Sequence, residues 1–299
     1  MPPKTPESLS QRIRRRAGWA VRDRWPDRPV KRTVQGVEMV LPWSHRLPDY
    51  ARVEPEYGQN LPRLAAALAK ADGRPVVAMD IGANVGDSTL QILDVADGRV
   101  LCVEADGFFL DFLHRNVDGD DRVAIEASLL LDTDDVQTGH MAPVRVGGTT
   151  RFVPGESEKT APTVSVAALR ERHPDFNALR LVKSDTDGYD VTLIPAVART
   201  WADTKPVLFF EYDHDLSRLA GNDPVKVWGE LEALGYDLVR VWDNGGRPIG
   251  TYPLSEMVER SALLDEPVES RAYHFWDVAV SHRDDPAGAQ AVRDVLPQA

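Results

Sequence analysis

The chain has 299 residues, is 42% hydrophobic and 27% charged, and carries a net charge of −12 with a single cysteine, Cys102. That balance suits a folded core, and one cysteine excludes an internal disulfide or a multi-cysteine metal site. No apolar run approaches the roughly 20 residues that span a bilayer, and the N-terminus lacks an apolar signal stretch, so a cytoplasmic protein with no integral membrane segment is expected.

Residues 1–35 hold ten Lys or Arg against three acids, a local charge of +7 that leaves −19 on the remainder. So acidic a body is a poor partner for nucleic acid, whose binding draws on clustered cations. In the basic arm Leu9, Ile13, Ala17, Val21 and Trp25 recur at spacing four. This predicts an amphipathic helix with a cationic outer face. Docking on the acidic body or on a sister subunit is the plainer reading, so a homodimer through the arm is expected. A membrane surface or an acidic partner is the alternative.

Residues 36–74 read as an N-terminal cap that contacts substrate. "VEMVLPWSHRLPDY" is a short strand and a Pro-punctuated loop, and "YGQNLPRLAAALAKADG" a helix stopped at Gly73. From residue 75 to 282 strands and helices alternate. "VVAMDIG", "VLCVEA", "VAIEASLLL", "LRLVKSD", "PVLFFEY", "YDLVRVW" and "HFWDVAVSH" are the expected strands. A polar insertion over 132–162 reads as a hairpin at the sheet edge, and 283–299 as a polar tail. The pattern implies an α/β fold, Rossmann-like, with a mostly parallel sheet covered on both faces. Ligands of such sheets bind beyond the carboxyl ends of the strands, at the switch point.

The first strand runs into "MDIGANVGDST". A phosphate-binding P-loop would need lysine where Asp87 precedes Ser88. A dinucleotide fingerprint would need glycine at Asn84 and Asp87, and Asp87 would repel a pyrophosphate at the helix N-terminus. The remaining pattern, D-x-G-x-x-x-G, fits S-adenosylmethionine, whose ammonium suits a nearby acid such as Asp80. Glu104 ends the second strand 18 residues after Gly86, where a carboxylate can accept both ribose hydroxyl protons.

"DIGANVGDS", "VEAD", "KSDTDGYD" and "FFEYD" together resemble the FkbM family of class I S-adenosylmethionine-dependent methyltransferases. The likeness extends to "HRLPDY", "LGYDLVRVWDNGG" and "YHFWDVAVSH", spanning roughly residues 36–282. The resemblance implies a seven-stranded methyltransferase sheet and O-methylation of hydroxyls on sugars, glycans or polyketide natural products, with carboxylate O-methylation in some members. It assigns Asp80, Gly82, Asn84 and Gly86 to the cofactor loop, with neighbours Ala83, Asp87 and Ser88. Glu104 becomes the ribose acid, and Ala105 and Ser128 are expected among the cofactor-binding residues. Lys183, Asp185, Asp187, Gly188 and Glu211 match the motifs ending the fourth and fifth strands. Ser184 departs from the family, which commonly has an apolar residue there, and Ala167 stands where an aspartate is frequent.

"KSDTDGYD" is no calcium loop. With Gly188 at position 6, position 1 is Lys183 and position 12 is Ile194, neither of which can ligate calcium. Asp190 reads as a helix-start acid. Methyl transfer is an in-line displacement, and an alcohol's proton must leave as the new bond forms. Asp185 or Asp187 is the expected base, and Lys183 could hold the other acid ionised. His214 is an alternative base. A magnesium-assisted variant stays open, with Asp187, Glu211 and Asp213 as oxygen ligands. His45, Tyr189, Asp213 and His214 are expected to face the acceptor. A nicotinamide oxidoreductase or a non-catalytic binding protein on the same scaffold are the rival classes.

Overall fold

The computed structural model describes residues 24–133, 141–146, 149–154 and 161–295. The amphipathic helix expected over Leu9–Trp25 falls almost wholly outside them.

The described chain opens with an antiparallel hairpin of β1 (Pro29–Val34) and β2 (Val37–Pro42). Its turn residues Gln35 and Gly36 have φ of 49° and 92°, the mirror-image geometry that matches strand twist in two-residue hairpins. The hairpin straddles residue 35, where the basic arm was expected to end. Next comes α1 (Leu47–Val53), where a loop was expected. Pro48 lies in its first turn, whose N–H groups lack helical partners anyway, so it does not break the helix. Helix α2 (Asn60–Asp72) stops as expected at Gly73, which takes a left-handed φ of 62°.

The alternating region comprises β3 (Val76–Ile81), α3 (Asp87–Val95), β4 (Gly98–Val103), α4 (Gly107–Val117), β5 (Val123–Glu126), β6 (Leu129–Leu131), β7 (Met141–Val146), β8 (Thr149–Pro154), β9 (Thr163–Ser165) and α5 (Val166–Arg172). It continues through β10 (Leu181–Ser184), α6 (Asp190–Thr200), β11 (Val207–Tyr212), α7 (His214–Leu219), α8 (Lys226–Ala233), β12 (Tyr236–Asp243), β13 (Pro248–Pro253), α9 (Met257–Ser261), β14 (Trp276–His282) and α10 (Pro286–Asp294). The main sheet has the order β13-β12-β14-β11-β10-β3-β4-β5. Pairing is parallel from β11 through to β5, while β14 runs antiparallel between β11 and β12, and β13 antiparallel along the edge. The expected Rossmann-like, mostly parallel sheet is therefore present, with β13 added as an eighth strand.

Chain order reverses at β3, which has β4 on one side and β10 on the other. The strand ends flanking this reversal form the crevice where an open α/β sheet binds ligands. Apolar side chains pack both faces. One cluster includes Met79, Leu101, Ile194 and Trp228; the other includes Leu64, Ala78, Val100 and Val292. A third cluster, including Met39, Leu41, Val85 and Phe112, seats the N-terminal hairpin against the loop after β3. Asn116 of α4 fastens this contact. It accepts from Val40 N at 2.6 Å and donates to Val40 O at 3.0 Å and Val85 O at 2.8 Å.

Two expectations are corrected. "VAIEASLLL" is not one strand, because its partner β4 ends opposite Glu126; the chain turns at Ala127–Ser128 and β6 pairs with β9 instead. β7 and β8 pair as a hairpin within the insertion. The polar tail contains helix α10, capped by the Asp285 carboxylate and burying Ala291 and Val292.

Candidate active site

The loop after β3 is shaped by contacts that admit no side chain. A Cβ on Gly82, at φ 72°, would lie 2.0 Å from the carbonyl oxygen of Asp185, and one on Gly86, at φ 84°, would meet Leu113 at 2.7 Å. At Gly82 the clash is with backbone, so sterics and conformation both demand glycine, whereas at Gly86 the neighbour is a leucine methyl that can move and the left-handed backbone is the stronger reason. Asn84 also takes a left-handed φ, 52°, which asparagine tolerates better than most residues.

Beneath the loop, Lys183 and Asp80 are direct partners in the β10–β3 ladder. Lys183 Nζ lies 3.0 Å from Asp80 Oδ1, donates to Gly82 O at 3.0 Å and lies 3.9 Å from Asp185 Oδ2. Burial alone would lower the lysine pKa, but Asp80, Asp185 and Asp87 outweigh it and the ammonium is held above its ordinary value. Asp80 is fully buried and also accepts from Thr89 Oγ1 at 2.8 Å. It therefore braces the loop from behind, and the expectation that it meets a cofactor ammonium is corrected. Lys183, as a lasting ammonium, tethers the loop to β10.

Glu104 is 8% exposed and oriented by three amides. Its Oε2 accepts from Asn84 N at 2.8 Å, and its Oε1 from Ala105 N at 2.9 Å and Asp106 N at 2.7 Å. Desolvation raises its pKa and the three amides pull it back. Two oxygens offer about four lone-pair sites, so the fixed carboxylate keeps capacity for a ligand hydroxyl.

Glu104 opens into a cavity of about 460 Å³ at the strand ends, also lined by Gly82, Asn84, Asp87, Ser88, Ala105, Ser128, Lys183, Asp185, Asp187 and Tyr189. That volume suits a cofactor-sized ligand. Phe109 and Leu129–Leu131 give it an apolar wall beside Glu104, and His45, Leu47, Tyr50 and Tyr57 of the N-terminal region close it. His45 lines the cavity and is held against the loop: its Nε2 is 3.3 Å from Asn84 Oδ1, while Nδ1 accepts from Leu47 N at 3.3 Å. Burial lowers its pKa, against an opposing pull from Asp87. Sequence reading missed Phe109 and the leucines, which carry no motif.

Asp190 organises the "KSDTDGYD" turn. Its buried carboxylate accepts from Ser184 Oγ at 2.6 Å, Thr186 N at 3.2 Å and Gly188 N at 3.4 Å. The departure at Ser184 thus supplies a donor to the acid that starts α6. Around this anchor Asp187 and Gly188 adopt φ of 51° and 104°. A Cβ on Gly188 would stand 2.3 Å from Leu216 O. Asp185, by contrast, is 53% exposed in its side chain and faces the cavity.

Glu211 lies in a second, smaller cavity of about 100 Å³, which shares Tyr57, Lys183 and Asp185 with the first. Also here is Asp277 of β14, the direct cross-strand partner of Glu211. Burial and the neighbouring carboxylates, Asp185 foremost, push Glu211 well above the usual carboxylate range. Asp277 is pushed up to about 7, mainly by burial. An acid inside the apolar run "HFWDVAVSH" was the available signal for Asp277.

Asp213 and His214 do not reach either cavity. Asp213 caps α7, accepting from Leu216 N at 2.9 Å. His214 is fully buried, with Nδ1 against Asp265 Oδ1 at 2.5 Å and Nε2 against Tyr212 Oη at 2.9 Å. Both are corrected from acceptor-facing to structural positions, and His214 cannot serve as base. Asp187, Glu211 and Asp213 do not converge, and among the described residues no group of three His, Cys, Asp or Glu could hold a metal ion. The residues present thus do not fit the magnesium arrangement.

No family model and no curated protein matches the chain. Among solved structures it is similar to the ribosomal protein L11 methylase of Lactobacillus delbrueckii subsp. bulgaricus, at 13% identity and TM-score 0.37 over 73% of this chain and 76% of that one. It is similar to an O-methyltransferase from Bacillus cereus in complex with SAH, at 14% identity and TM-score 0.38 over 74% and 80%. With the methyltransferase FkbM of Methylobacillus flagellatus KT it shares 17% identity at TM-score 0.32, over 55% of this chain and 39% of that one. No helix among the described residues is long and apolar enough to cross a membrane.

Proposed function

We propose that the chain is an S-adenosylmethionine-dependent O-methyltransferase acting on a hydroxyl of a sugar, glycan or polyketide-type compound. One observation carries the reading: Glu104, fixed by three amides, faces a cavity of about 460 Å³ beside a loop bracketed by Gly82 and Gly86 at the sheet's switch point. Its donor set fits the cofactor. Glu104 would hold the ribose, Phe109 and Leu129–Leu131 the base, and the loop at Gly82–Asn84 with Asp87 the amino-acid end. When bound, the cofactor supplies an electrophilic methyl group on a sulfonium.

The chain's own contribution is positioning, exclusion of water and proton removal. Tyr57 and His45 close the cavity over the strand ends, which raises the worth of every charge inside it. Carboxylates at the ends of β10 and β11 stand where an alcohol's proton must go. Asp185 is the accessible one, at the junction of the two cavities.

A thermal-shift panel with S-adenosylmethionine, S-adenosylhomocysteine, NAD and ATP tests the reading. Ligand at 100 times Kd stabilises a fold by about 2.7 kcal/mol. The first two should raise the melting temperature. A response to NAD alone would instead make the chain an oxidoreductase, and a response to none of the four would leave it without the proposed cofactor.

A further inference from the structure

We infer that Asp277, pinned by Asn60, acts with Glu211 as the pair of carboxylates that receives the acceptor hydroxyl in the smaller cavity. The inference rests on the methyltransferase reading and assigns its acceptor side.

The cavity lies against the ends of β10, β11 and β14 and adjoins the cofactor cavity through Lys183 and Asp185. Glu211 and Asp277 are cross-strand partners, so their side chains leave the same face of the sheet with Cβ atoms roughly 5 Å apart. Asn60 of α2 is 1% exposed, and its orientation is settled by two bonds. Its Oδ1 accepts from Leu61 N at 3.1 Å, which turns Nδ2 toward Asp277 Oδ2 at 2.9 Å. That bond satisfies one oxygen of Asp277 and leaves the other for a ligand. The Glu211 side chain accepts no hydrogen bond among the described residues, although it sits in the cavity wall. Among the described residues the one cation lining this cavity, Lys183, is engaged with Asp80 and Gly82.

Such a wall asks for a donor. An alcohol can give its proton to Asp277, whose carboxyl is pushed up to about 7, and lie against the Glu211 carboxyl, whereas an acceptor carboxylate would meet Asp185 and Asp277 with like charge. About 100 Å³ has room for a few water-sized groups, enough for one hydroxylated fragment of a larger neutral polyol. In the transfer, the hydroxyl proton passes to the carboxylate as oxygen bonds the methyl carbon. The carbon–sulfur electron pair stays on the departing thioether, and the carboxyl returns its proton to water.

The test is saturation-transfer NMR on full-length protein loaded with S-adenosylhomocysteine, using methyl glucoside as neutral probe and the matching uronate as anionic probe. Methyl glucoside should receive transfer and the uronate should not. Asp277→Asn keeps the Asn60 bond but removes the free carboxylate oxygen. It should weaken glucoside binding about tenfold or more, as should Asn60→Ala, which leaves Asp277 unpinned. Both variants should bind S-adenosylhomocysteine like the wild type by calorimetry, which also reports their folding. Equal binding of the uronate, no binding of the glucoside, or glucoside binding unchanged in both variants would each overturn the inference while leaving the cofactor reading intact. Failure of the wild type to bind S-adenosylhomocysteine would sink the cofactor reading instead.

Discussion

Asn84 gives its backbone N–H to the Glu104 carboxylate across the crevice, at 2.8 Å, from a residue whose own backbone is left-handed. The turn after β3 and the acid after β4 are thus one unit. Glu104→Gln should break it, because an amide group presents a donor to some of the three N–H groups that now point at oxygen. We expect affinity for S-adenosylhomocysteine to fall about tenfold or more, measured by calorimetry. Unchanged affinity would remove Glu104 as the ribose acid.

Lys183→Met should act on stability before it acts on catalysis. It would strand Asp80, which is fully buried and, among the described residues, would keep Thr89 as its side-chain donor. Breaking a buried pair from one side costs about 3–5 kcal/mol. Urea denaturation should show that loss, and Asp80→Asn in the same chain should recover part of it. A Lys183→Met protein as stable as wild type would contradict the bracing role.

Gly82→Ala should separate the ends of β3 and β10. The new Cβ would collide with backbone at Asp185, which cannot rotate away. A destabilisation of about 1–3 kcal/mol is expected, with loss of S-adenosylhomocysteine binding. Gly73→Ala serves as the control, since a Cβ there meets nothing within 4 Å; it should cost only its left-handed backbone strain.

Asp277 gives stability a pH signature. Its folded pKa is about 7, against about 3.9 for an unfolded aspartate. Between these values the folded state binds more protons than the unfolded one. Stability should therefore fall as pH rises from about 4 to 7, and level off above. Glu211 and Glu104, also raised, add the same sign. Asp277→Asn should flatten this slope, read as denaturation midpoints at pH 5 and pH 8; an unaltered slope would count against the raised value.

The sheet was legible because its strands are continuous apolar runs between helices of clear period, as with "GFFLDFLHRNV" and α4 (Gly107–Val117). The glycine turn and Glu104 were legible because sterics leave few residues that could stand there. Register was not legible. That Lys183 falls opposite Asp80 depends on how β10 meets β3, and this turned a presumed ligand contact into an internal ion pair. Short elements such as α1 and β13 take their form from what they pack against, not from local pattern. Asp277 was hidden for a similar reason: its meaning comes from Glu211, far away in sequence and adjacent in space.

The short ladder between β6 and β9 pairs Leu129 with Thr163 and Leu131 with Ser165. The two strands are parallel, so the chain departs at one end of this three-rung ladder, after Leu131, and returns at the other, at Thr163, whatever lies between them. Once both ends are clamped, doubling the length of the intervening segment costs only about 0.6 kcal/mol of loop entropy. This makes the region a modular socket: foreign segments of quite different length can be spliced in behind Leu131 while the eight-stranded platform folds as before.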